Sequence, residues 1–264
     1  MATWGSGRVS ADGLALEYAC WGPPPGQAPT IALLHEGLGC LALWRDFPDQ
    51  LAQATGLGVL AWSRAGYGHS DPVPLPRPLD YMTREAKGPV GEVFDALGIG
   101  DVLLLGHSDG ATIAAEFAGR VQDPRVRGLV LMAPHVFAED MGLKEIEQAR
   151  VAYQSGDLRR RLARYHADPD TAFRGWNDAW LDPGFRTWTV EDALGGIRVP
   201  TLAIQGRQDQ YGTLDQIDAI QQGSSGPVET LILDRCRHAP QFDQADAVIR
   251  AVTAFAQQCL SPQQ

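Results

Sequence analysis

Cysteine and basic residues are scarce in this 264-residue sequence, and each shortage excludes a class of protein. The cysteines have no C-x-x-C spacing and are too few for a disulfide scaffold, so we expect reduced thiols in a cytoplasmic protein. Lys and Arg number 22 against 32 Asp and Glu, which gives a net charge of −10. That balance argues against a nucleic-acid or anionic-membrane partner, because such surfaces need clustered cations. The four cysteines are Cys20, Cys40, Cys236 and Cys259.

Long apolar runs and metal-binding spacings are also lacking. No apolar run approaches the roughly 20 residues that a membrane helix needs. The N-terminal stretch MATWGSGRVSADG lacks a basic segment followed by an apolar core, so no signal peptide is expected. The six histidines are scattered, and the pair His35 and Glu36 is not followed by the second histidine of a zinc helix. We expect no metal, no cofactor and a small-molecule substrate, with the chain acting as a monomer or homodimer.

Short β-type runs alternate with helical patterns along most of the chain, which is typical of a largely parallel sheet covered by helices. The runs IALLH, VLLLG, GLVLM and TLAIQ are almost continuously apolar and predict strands buried on both faces. The pattern predicts an α/β fold with about eight mostly parallel strands and helices on both faces of the sheet. The predicted strands are Arg8–Ser10, Leu14–Trp21, Thr30–His35, Gly58–Ser63, Asp101–Gly106, Val126–Ala133, Pro200–Gln205 and Val228–Leu233. The predicted helices are Leu43–Thr55, Met82–Leu97, Asp109–Val121, Leu214–Gln222 and Gln244–Cys259.

Residues 137–197 interrupt this alternation, because they contain helical patterns and many aromatics but no strand-like run. A helical insertion between two parallel strands would lie over the carboxyl ends of the strands, where such folds bind ligands. We interpret it as a small helical cap, inserted after the sixth strand of a core formed by residues 1–136 and 198–264. Trp176 and Trp180 are four residues apart, so a helix would present both indoles on one face. They either roof an apolar pocket or form the cap's own core.

The stretch LLLGHSDGATI places Ser108 between Gly106 and Gly110, directly after an apolar run and before a helical pattern. A G-x-S-x-G turn between a strand and a helix exposes the serine hydroxyl. A glycine turn without chemistry is the alternative. A presented serine needs a base, because a hydroxyl is a weak nucleophile at neutral pH.

The best candidates for the base and its acid follow the last two predicted strands. His238 lies in the loop after VETLIL, and Asp209 follows AIQGR, so both project from the carboxyl edge of the sheet beside Ser108. The main rival of Asp209 as the acid is Asp140, which follows the sixth strand. No catalytic role is assigned to the remaining histidines, His35, His69, His107, His135 and His166.

Four segments together resemble the α/β-hydrolase superfamily over nearly the whole chain: LLHEGLG, SRAGYGHSDP, GHSDG, and the pair GRQD and CRHAP. The resemblance implies that Ser108, Asp209 and His238 are nucleophile, acid and base, in that chain order. It also implies an oxyanion hole formed by the backbone N–H groups of Gly37 and Asp109.

Two residues depart from the superfamily pattern. Glu36 stands where relatives usually carry glycine, and a carboxylate turned toward the developing oxyanion would oppose catalysis. We expect Glu36 to point away and to bond to backbone at the border of the substrate site. Asp109 stands where relatives often carry an apolar or glutamine side chain, but its backbone N–H remains available. The candidate substrate-binding residues are Glu36, Trp176 and Trp180.

These motifs favour a serine hydrolase that cleaves a small apolar or aromatic carboxylic ester through an acyl-enzyme on Ser108. Serine at the elbow disfavours the epoxide and haloalkane branches, which resemble this fold but use an aspartate there. Two alternatives stay open. One is a carbon–carbon bond hydrolase of a ring-cleavage-type dienoate, which uses the same triad. The other is a non-catalytic module that binds a small ligand on the same fold.

Overall fold

A central sheet organises this protein in a computed structural model that describes residues 5–260. The sheet has eight strands, and its mostly parallel pairing confirms the predicted fold class. Residues 1–4 and 261–264, which belong to the predicted core and to the N-terminal stretch discussed above, lie outside the described residues. The strands are β1 Ser6–Ala11, β2 Leu14–Trp21, β3 Thr30–Leu34, β4 Gly58–Trp62, β5 Val102–His107, β6 Val126–Met132, β7 Thr201–Gly206 and β8 Val228–Leu233.

The order of the strands identifies where a ligand site belongs. Across the sheet the order is β1-β2-β4-β3-β5-β6-β7-β8. β1 pairs antiparallel with β2, and β2 pairs antiparallel with β4. The other six strands, β3 to β8, are mutually parallel. Because β4 lies on one side of β3 and β5 on the other, the chain changes its direction across the sheet at β3. Open α/β sheets bind ligands at the carboxyl ends of the strands beside such a switch point.

Alternate residues of the central strands face two separate apolar cores. In β3, Ile31 and Leu33 pack in one core, and Ala32 and Leu34 pack in the other. The helices are α1 Phe47–Thr55, α2 Tyr81–Lys87, α3 Pro89–Ala96, α4 Asp109–Glu116, α5 Asp140–Gln154, α6 Asp157–Leu162, α7 Pro169–Trp180, α8 Glu191–Leu194, α9 Asp215–Gly223, α10 Pro240–Asp243 and α11 Ala245–Leu260. The first core is closed by α1 and α11, whereas the second is closed by α2, α3, α4 and the cap.

Three predicted helices differ from the structure by more than one residue at an end or in their continuity. The predicted helix Met82–Leu97 is wrong as a single helix, because Gly88 leaves helical geometry before Pro89 and separates α2 from α3. A residue that precedes proline is disfavoured in the helical region. The predicted start at Leu43 lies in a 3₁₀ turn, Leu41–Trp44, and α1 begins at Phe47. The predicted helix Asp109–Val121 ends its α-helical part at Glu116 and continues as a π-helical turn to Val121.

Helices α5 to α8 lie between β6 and β7, within the segment 137–197 that the sequence assigns to a cap. Helix α7 begins where Asp168 accepts hydrogen bonds from the backbone N–H groups of Asp170 and Thr171, each at 3.0 Å, with Pro169 at the first helical position. This N-cap sets the register of α7 and therefore the direction of its tryptophans. Within residues 5–260, no helix combines the length and apolar character required to cross a membrane.

Candidate active site

Ser108 lies on a sharp turn between β5 and α4. Its backbone has φ 54° and ψ −119°, a conformation that L residues seldom adopt. The turn needs glycine on both sides, because a Cβ added at Gly106 would lie 2.1 Å from the carbonyl oxygen of Gly110. A Cβ added at Gly110 would lie 2.0 Å from the carbonyl oxygen of Leu34, at the end of β3. The glycines of GHSDG therefore permit the elbow to pack directly against the neighbouring strand.

The structure brings Ser108, His238 and Asp209 together in the predicted order. The Ser108 Oγ lies 2.9 Å from His238 Nε2, and His238 Nδ1 lies 2.9 Å from each carboxylate oxygen of Asp209. A ring that donates from Nδ1 to the carboxylate has its Nε2 lone pair free to accept the serine proton. The rival acid Asp140 does not take part, since its exposed carboxylate lies 3.3 Å from Arg186.

Asp209 is held as a buried carboxylate. It accepts hydrogen bonds from the side-chain amide of Gln205 and from the backbone N–H of Tyr211, each at 2.9 Å. Burial opposes its negative charge, but the charge and hydrogen bond of His238 outweigh that effect and lower the pKa of Asp209. Gln205 and Tyr211 were not predicted, although both lie within four residues of Asp209 in the sequence.

Gly37 and Asp109, the predicted oxyanion-hole residues, border the same cavity as Ser108. Asp109 is the first residue of α4, so its N–H belongs to the unpaired donors of a helix N-terminus. Gly37 has to be glycine here, because an added Cβ would lie 2.3 Å from the indole of Trp176. The cap tryptophan therefore rests directly on the backbone after β3.

The prediction that Glu36 points away and bonds to backbone is wrong, because the main partner of its carboxylate is the side chain of His107. The carboxylate borders the cavity and lies 3.4 Å from Nδ1 of the His107 ring, rather than turning wholly toward backbone. Burial opposes the charged form, but the hydrogen bond and charge of His107 lower the pKa of Glu36 to about 2. The physical reason is that Glu36 and His107 follow or end adjacent strands, β3 and β5, and meet at the sheet edge. Pairing with an imidazole keeps this charge from standing alone beside the nucleophile.

His107 links the elbow to the loop that carries the base. Its Nε2 lies 2.6 Å from the backbone carbonyl oxygen of His238, and the Gln241 amide nitrogen lies 3.1 Å from its Nδ1. Burial opposes protonation of the ring, but Glu36 and the His238 carbonyl raise the pKa of His107. The residue was interpreted as structural, and these bonds make it a support for His238. No spacing in the sequence could identify Gln241 as its partner.

The cavity over Ser108 has a volume of about 100 Å³ and is walled by aromatic and acidic side chains. Trp176 and Trp180 both border it, so the predicted pair reaches the site. Three carboxylate residues border it as well, and none of the described lining residues is Lys or Arg. Besides Ser108, the lining residues are Glu36, Gly37, Leu38, Asp109, His135, Glu139, Gly142, Ile146, Trp176, Trp180, Tyr211 and His238.

Trp180 is anchored from below by a chain of hydrogen bonds. Its indole N–H donates to the hydroxyl of Tyr81 at 3.1 Å, and the Tyr81 hydroxyl donates in turn to the Asp109 carboxylate. Burial raises the pKa of Asp109, although the Arg64 guanidinium, 3.8 Å away, opposes the shift. The side chain of Asp109 therefore fixes the cap tryptophan, whereas its backbone faces the cavity.

The remaining cap aromatics pack mainly against one another. Tyr153 stacks on Phe173 with ring centroids 3.8 Å apart, and Phe185 stacks on Trp188 at 4.8 Å. Trp180 contacts both Phe185 and Trp188 while also bordering the cavity. Trp176 and Trp180 therefore line the pocket. The stacked pairs Tyr153–Phe173 and Phe185–Trp188 form the cap's own core.

The other histidines occupy distinct environments. His35 accepts a hydrogen bond from the backbone N–H of Arg64 at 3.0 Å, and His166 accepts one from Gly68 at 2.9 Å. These two rings tie loops together, His166 from within the cap. His69 is exposed, whereas the buried ring of His135 borders the cavity.

The buried state of His135 predicts a pH dependence of stability. Burial, and secondarily the nearby His238, lower the pKa of His135 to about 3, with Asp209 opposing and His107 adding to the shift. Between about pH 4 and 6 the unfolded state binds a proton that the folded state does not, so acidification destabilises the fold. In His135→Phe the free energy of unfolding should depend less steeply on pH in this window, with a slope smaller by about 1.4 kcal/mol per pH unit. Urea unfolding at pH 4.5, 5.5 and 7 measures the slope, and equal slopes in both proteins would contradict the prediction.

Comparisons with known proteins agree with this architecture. Residues 31–251 match the alpha/beta hydrolase family. Human serine hydrolase BPHL is 32% identical over 216 residues, which cover 77% of this chain and 70% of that protein. The 2-hydroxy-6-oxo-6-phenylhexa-2,4-dienoate hydrolase of Burkholderia cepacia is 24% identical over 258 residues, covering 87% of this chain and 88% of the enzyme. Epoxide hydrolase B of Mycobacterium tuberculosis is 27% identical over 79% of this chain, and the chain spans only 56% of that enzyme.

Solved structures share the fold at low identity. The 2-hydroxy-6-oxo-6-phenylhexa-2,4-dienoate hydrolase of Rhodococcus sp. strain RHA1 aligns with a TM-score of 0.79 and 19% identity, covering 94% of this chain and 97% of the other. A thermophilic esterase of Thermogutta terrifontis aligns with a TM-score of 0.73 and 17% identity, covering 97% of this chain and 100% of the other. At such identities the likeness concerns the fold alone. The family match over most of the chain carries the conclusion: this protein belongs to the alpha/beta hydrolase family.

Proposed function

We propose that the protein is a serine hydrolase that cleaves a small, uncharged carboxylic ester with apolar or aromatic groups through an acyl-enzyme on Ser108. The observation that carries the proposal is the hydrogen-bonded series from Asp209 through His238 to Ser108, which ends in a cavity. A connector turn or a pure binding site would need neither the base nor the acid behind the serine.

In the proposed reaction the triad and the oxyanion-hole donors act twice, first in the formation of the acyl-enzyme and then in its hydrolysis. As the Ser108 Oγ attacks the ester carbonyl, His238 Nε2 takes its proton and Asp209 stabilises the imidazolium. The backbone N–H groups of Gly37 and Asp109 bind the oxyanion. His238 then gives the proton to the departing alkoxide. A water that passes its proton to the same ring hydrolyses the acyl-enzyme and regenerates Ser108.

The walls of the cavity support the choice of an uncharged, apolar substrate. Trp176, Trp180 and Ile146 offer apolar contact area, which favours burial by about 0.8 kcal/mol per methylene group. Glu36 and Glu139 add negative charge to the border of the site, and an anionic group placed beside them would be repelled.

A carbon–carbon bond hydrolase of a dienoate is the second candidate, because several dienoate hydrolases are similar to this chain. A dienoate substrate carries a carboxylate, which would require a cation or several donors in the site. Among residues 5–260, the lining of the cavity includes the side chains of Glu36 and Glu139 and no Lys or Arg. This charge pattern favours the ester over the dienoate.

Labelling with a fluorophosphonate probe tests the proposal. The wild type should be labelled and Ser108→Ala should not, because the probe reacts only with an activated hydroxyl. Labelling that persists in Ser108→Ala would remove Ser108 from the mechanism. A wild type that resists the probe would favour the non-catalytic binding module.

Turnover of matched substrates separates the two reaction types. Unlabelled wild-type enzyme, from a preparation that reacts with the probe, should hydrolyse 4-nitrophenyl butanoate with a higher kcat/KM than a phenyl-substituted 2-hydroxy-6-oxo-dienoate. The opposite ranking would assign the same triad to carbon–carbon bond cleavage.

A further inference from the structure

His135 is the one cavity-lining imidazole, among the residues described, to which the proposed mechanism gives no task. It follows β6 in the stretch MAPH and is 5% exposed. Its ring contacts His238, with centroids 5.5 Å apart, and Trp180, at 5.4 Å. It therefore lies between the proposed base and the roof of the site.

The ring nitrogens of His135 are unused by the protein. Within residues 5–260 neither nitrogen has a hydrogen-bond partner, and neither is sealed off from accessible space. The two glutamates of the lining are engaged: Glu139 accepts bonds from Thr213 and Gln216, and Glu36 lies against His107. Because these nitrogens reach the cavity and have no partner in the described residues, a polar group of a bound substrate can pair with them there.

The backbone that carries His135 is held in a strained and well-anchored turn. Ala133 has φ 47°, in the left-handed region that alanine seldom adopts. The turn is fixed by three bonds, from Ala133 N–H to the Ile204 carbonyl at 2.8 Å, from the Thr112 hydroxyl to the His135 carbonyl at 2.6 Å, and from Val136 N–H to the Gln216 amide oxygen at 2.7 Å. Like the elbow at Ser108, this turn follows the carboxyl end of a central strand and presents one side chain to the cavity.

We propose that His135 is a specificity-determining residue that hydrogen-bonds a hydroxyl or similar neutral polar group of the substrate beside the scissile ester. A neutral imidazole offers one N–H donor and one acceptor, which match a hydroxyl. The inference rests on the proposed esterase function and narrows its substrate class to esters with an apolar body and one such polar group. Because the ring stays neutral at physiological pH, it makes this bond without adding charge to an already acidic site.

Two pairs of esters that differ by a methyl-to-hydroxyl exchange test the proposal. The acyl-side pair is 4-nitrophenyl 3-methylbutanoate and 3-hydroxybutanoate, and the alcohol-side pair is propyl butanoate and 2-hydroxyethyl butanoate. For each pair, the kcat/KM of the hydroxyl ester is divided by the kcat/KM of the methyl ester. This ratio is then divided by the same hydroxyl-over-methyl ratio of the hydroxide-catalysed hydrolysis rates. In the wild type this normalised ratio should exceed unity by roughly ten- to a hundredfold in one pair, which identifies the side that His135 reads.

In His135→Phe and in the smaller His135→Leu the same ratio should fall to about one, and His135→Asn, which keeps a donor and an acceptor, should restore part of it. The exposed ring of His69 provides the control, and His69→Phe should keep the wild-type ratio. Normalised ratios near one for both pairs in the wild type, or ratios unchanged in both apolar variants, would overturn the proposal. Fluorophosphonate labelling of the same preparations separates the causes. A labelled wild type without hydroxyl preference overturns only the role of His135, whereas an unlabelled wild type overturns the esterase function and this inference with it.

Discussion

His238→Ala should lower kcat by roughly 10³-fold or more on 4-nitrophenyl butanoate, the largest effect of any single substitution outside Ser108. The His238 Nε2 lies 2.9 Å from the Ser108 Oγ and is the acceptor for its proton. Without that base the hydroxyl attacks as a neutral alcohol, and the departing alkoxide has no acid. The residual rate would come from the oxyanion donors and from substrate binding.

A substitution of Asp209 and two control substitutions test whether the loss of activity is specific to the triad. Asp209→Asn should lower kcat by somewhat less than His238→Ala, because an amide can still contact Nδ1 but no longer stabilises the imidazolium. Asp140→Asn should retain full activity, since its exposed carboxylate contacts Arg186. His69→Ala should also retain activity, because this exposed ring lies outside the site. An inactive Asp140→Asn beside a fully active Asp209→Asn would reassign the acid.

Gly110→Ala should lower both the melting temperature and the activity. The added methyl group would lie 2.0 Å from the Leu34 carbonyl oxygen and 2.8 Å from that of His35, so the elbow must move away from β3. Overpacking of this kind costs about 3 kcal/mol or more, which corresponds to a fall in Tm of roughly 6 °C or more for a chain of this size. A displacement of about 1 Å at Ser108 would also lower kcat by roughly 10²-fold.

Gly100→Ala is the matched control for the elbow substitution. Gly100 is exposed, and a Cβ added there meets nothing within 4 Å. Its melting temperature and kcat should equal those of the wild type, measured by thermal circular dichroism and by ester hydrolysis. A Gly110→Ala variant that melts and turns over like Gly100→Ala would contradict the tight packing of the elbow on β3.

The prediction of the sheet succeeded where local pattern and tertiary burial agree. In β5 the residues of VLLLGH are all buried, as a continuous apolar run predicts, and the strand passes directly into the elbow. The helix predicted over Met82–Leu97 failed because its apolar spacing continues across Gly88 and Pro89, where the backbone breaks. Periodicity reports which face is buried, but it does not report where the helical hydrogen bonds stop.

Some residues of the candidate site could likewise be predicted from the sequence, whereas others could not. Ser108, Asp209 and His238 could be assigned because each follows a recognisable strand, and the carboxyl ends of parallel strands share one edge. Glu36 was misjudged because its partner, His107, lies 71 positions away by number and on another strand, so their 3.4 Å approach depends on strand pairing. His135 had no assigned partner in the sequence, and only its position against His238 and Trp180 gives it a chemical context.

By itself, the sequence determined the eight strands along the chain and their alternation with helices, the glycine-flanked elbow and the three side chains of the candidate triad. These features depend on residues that are neighbours along the chain, or on strand ends that any parallel sheet brings together. The tertiary structure alone decided that Glu36 faces His107, that Trp180 is tied through Tyr81 to Asp109, and that the ring of His135 meets the cavity without a partner. The physical reason is that contacts between side chains on different elements depend on the packing of strands, helices and cap against one another, and local spacing carries no record of that packing.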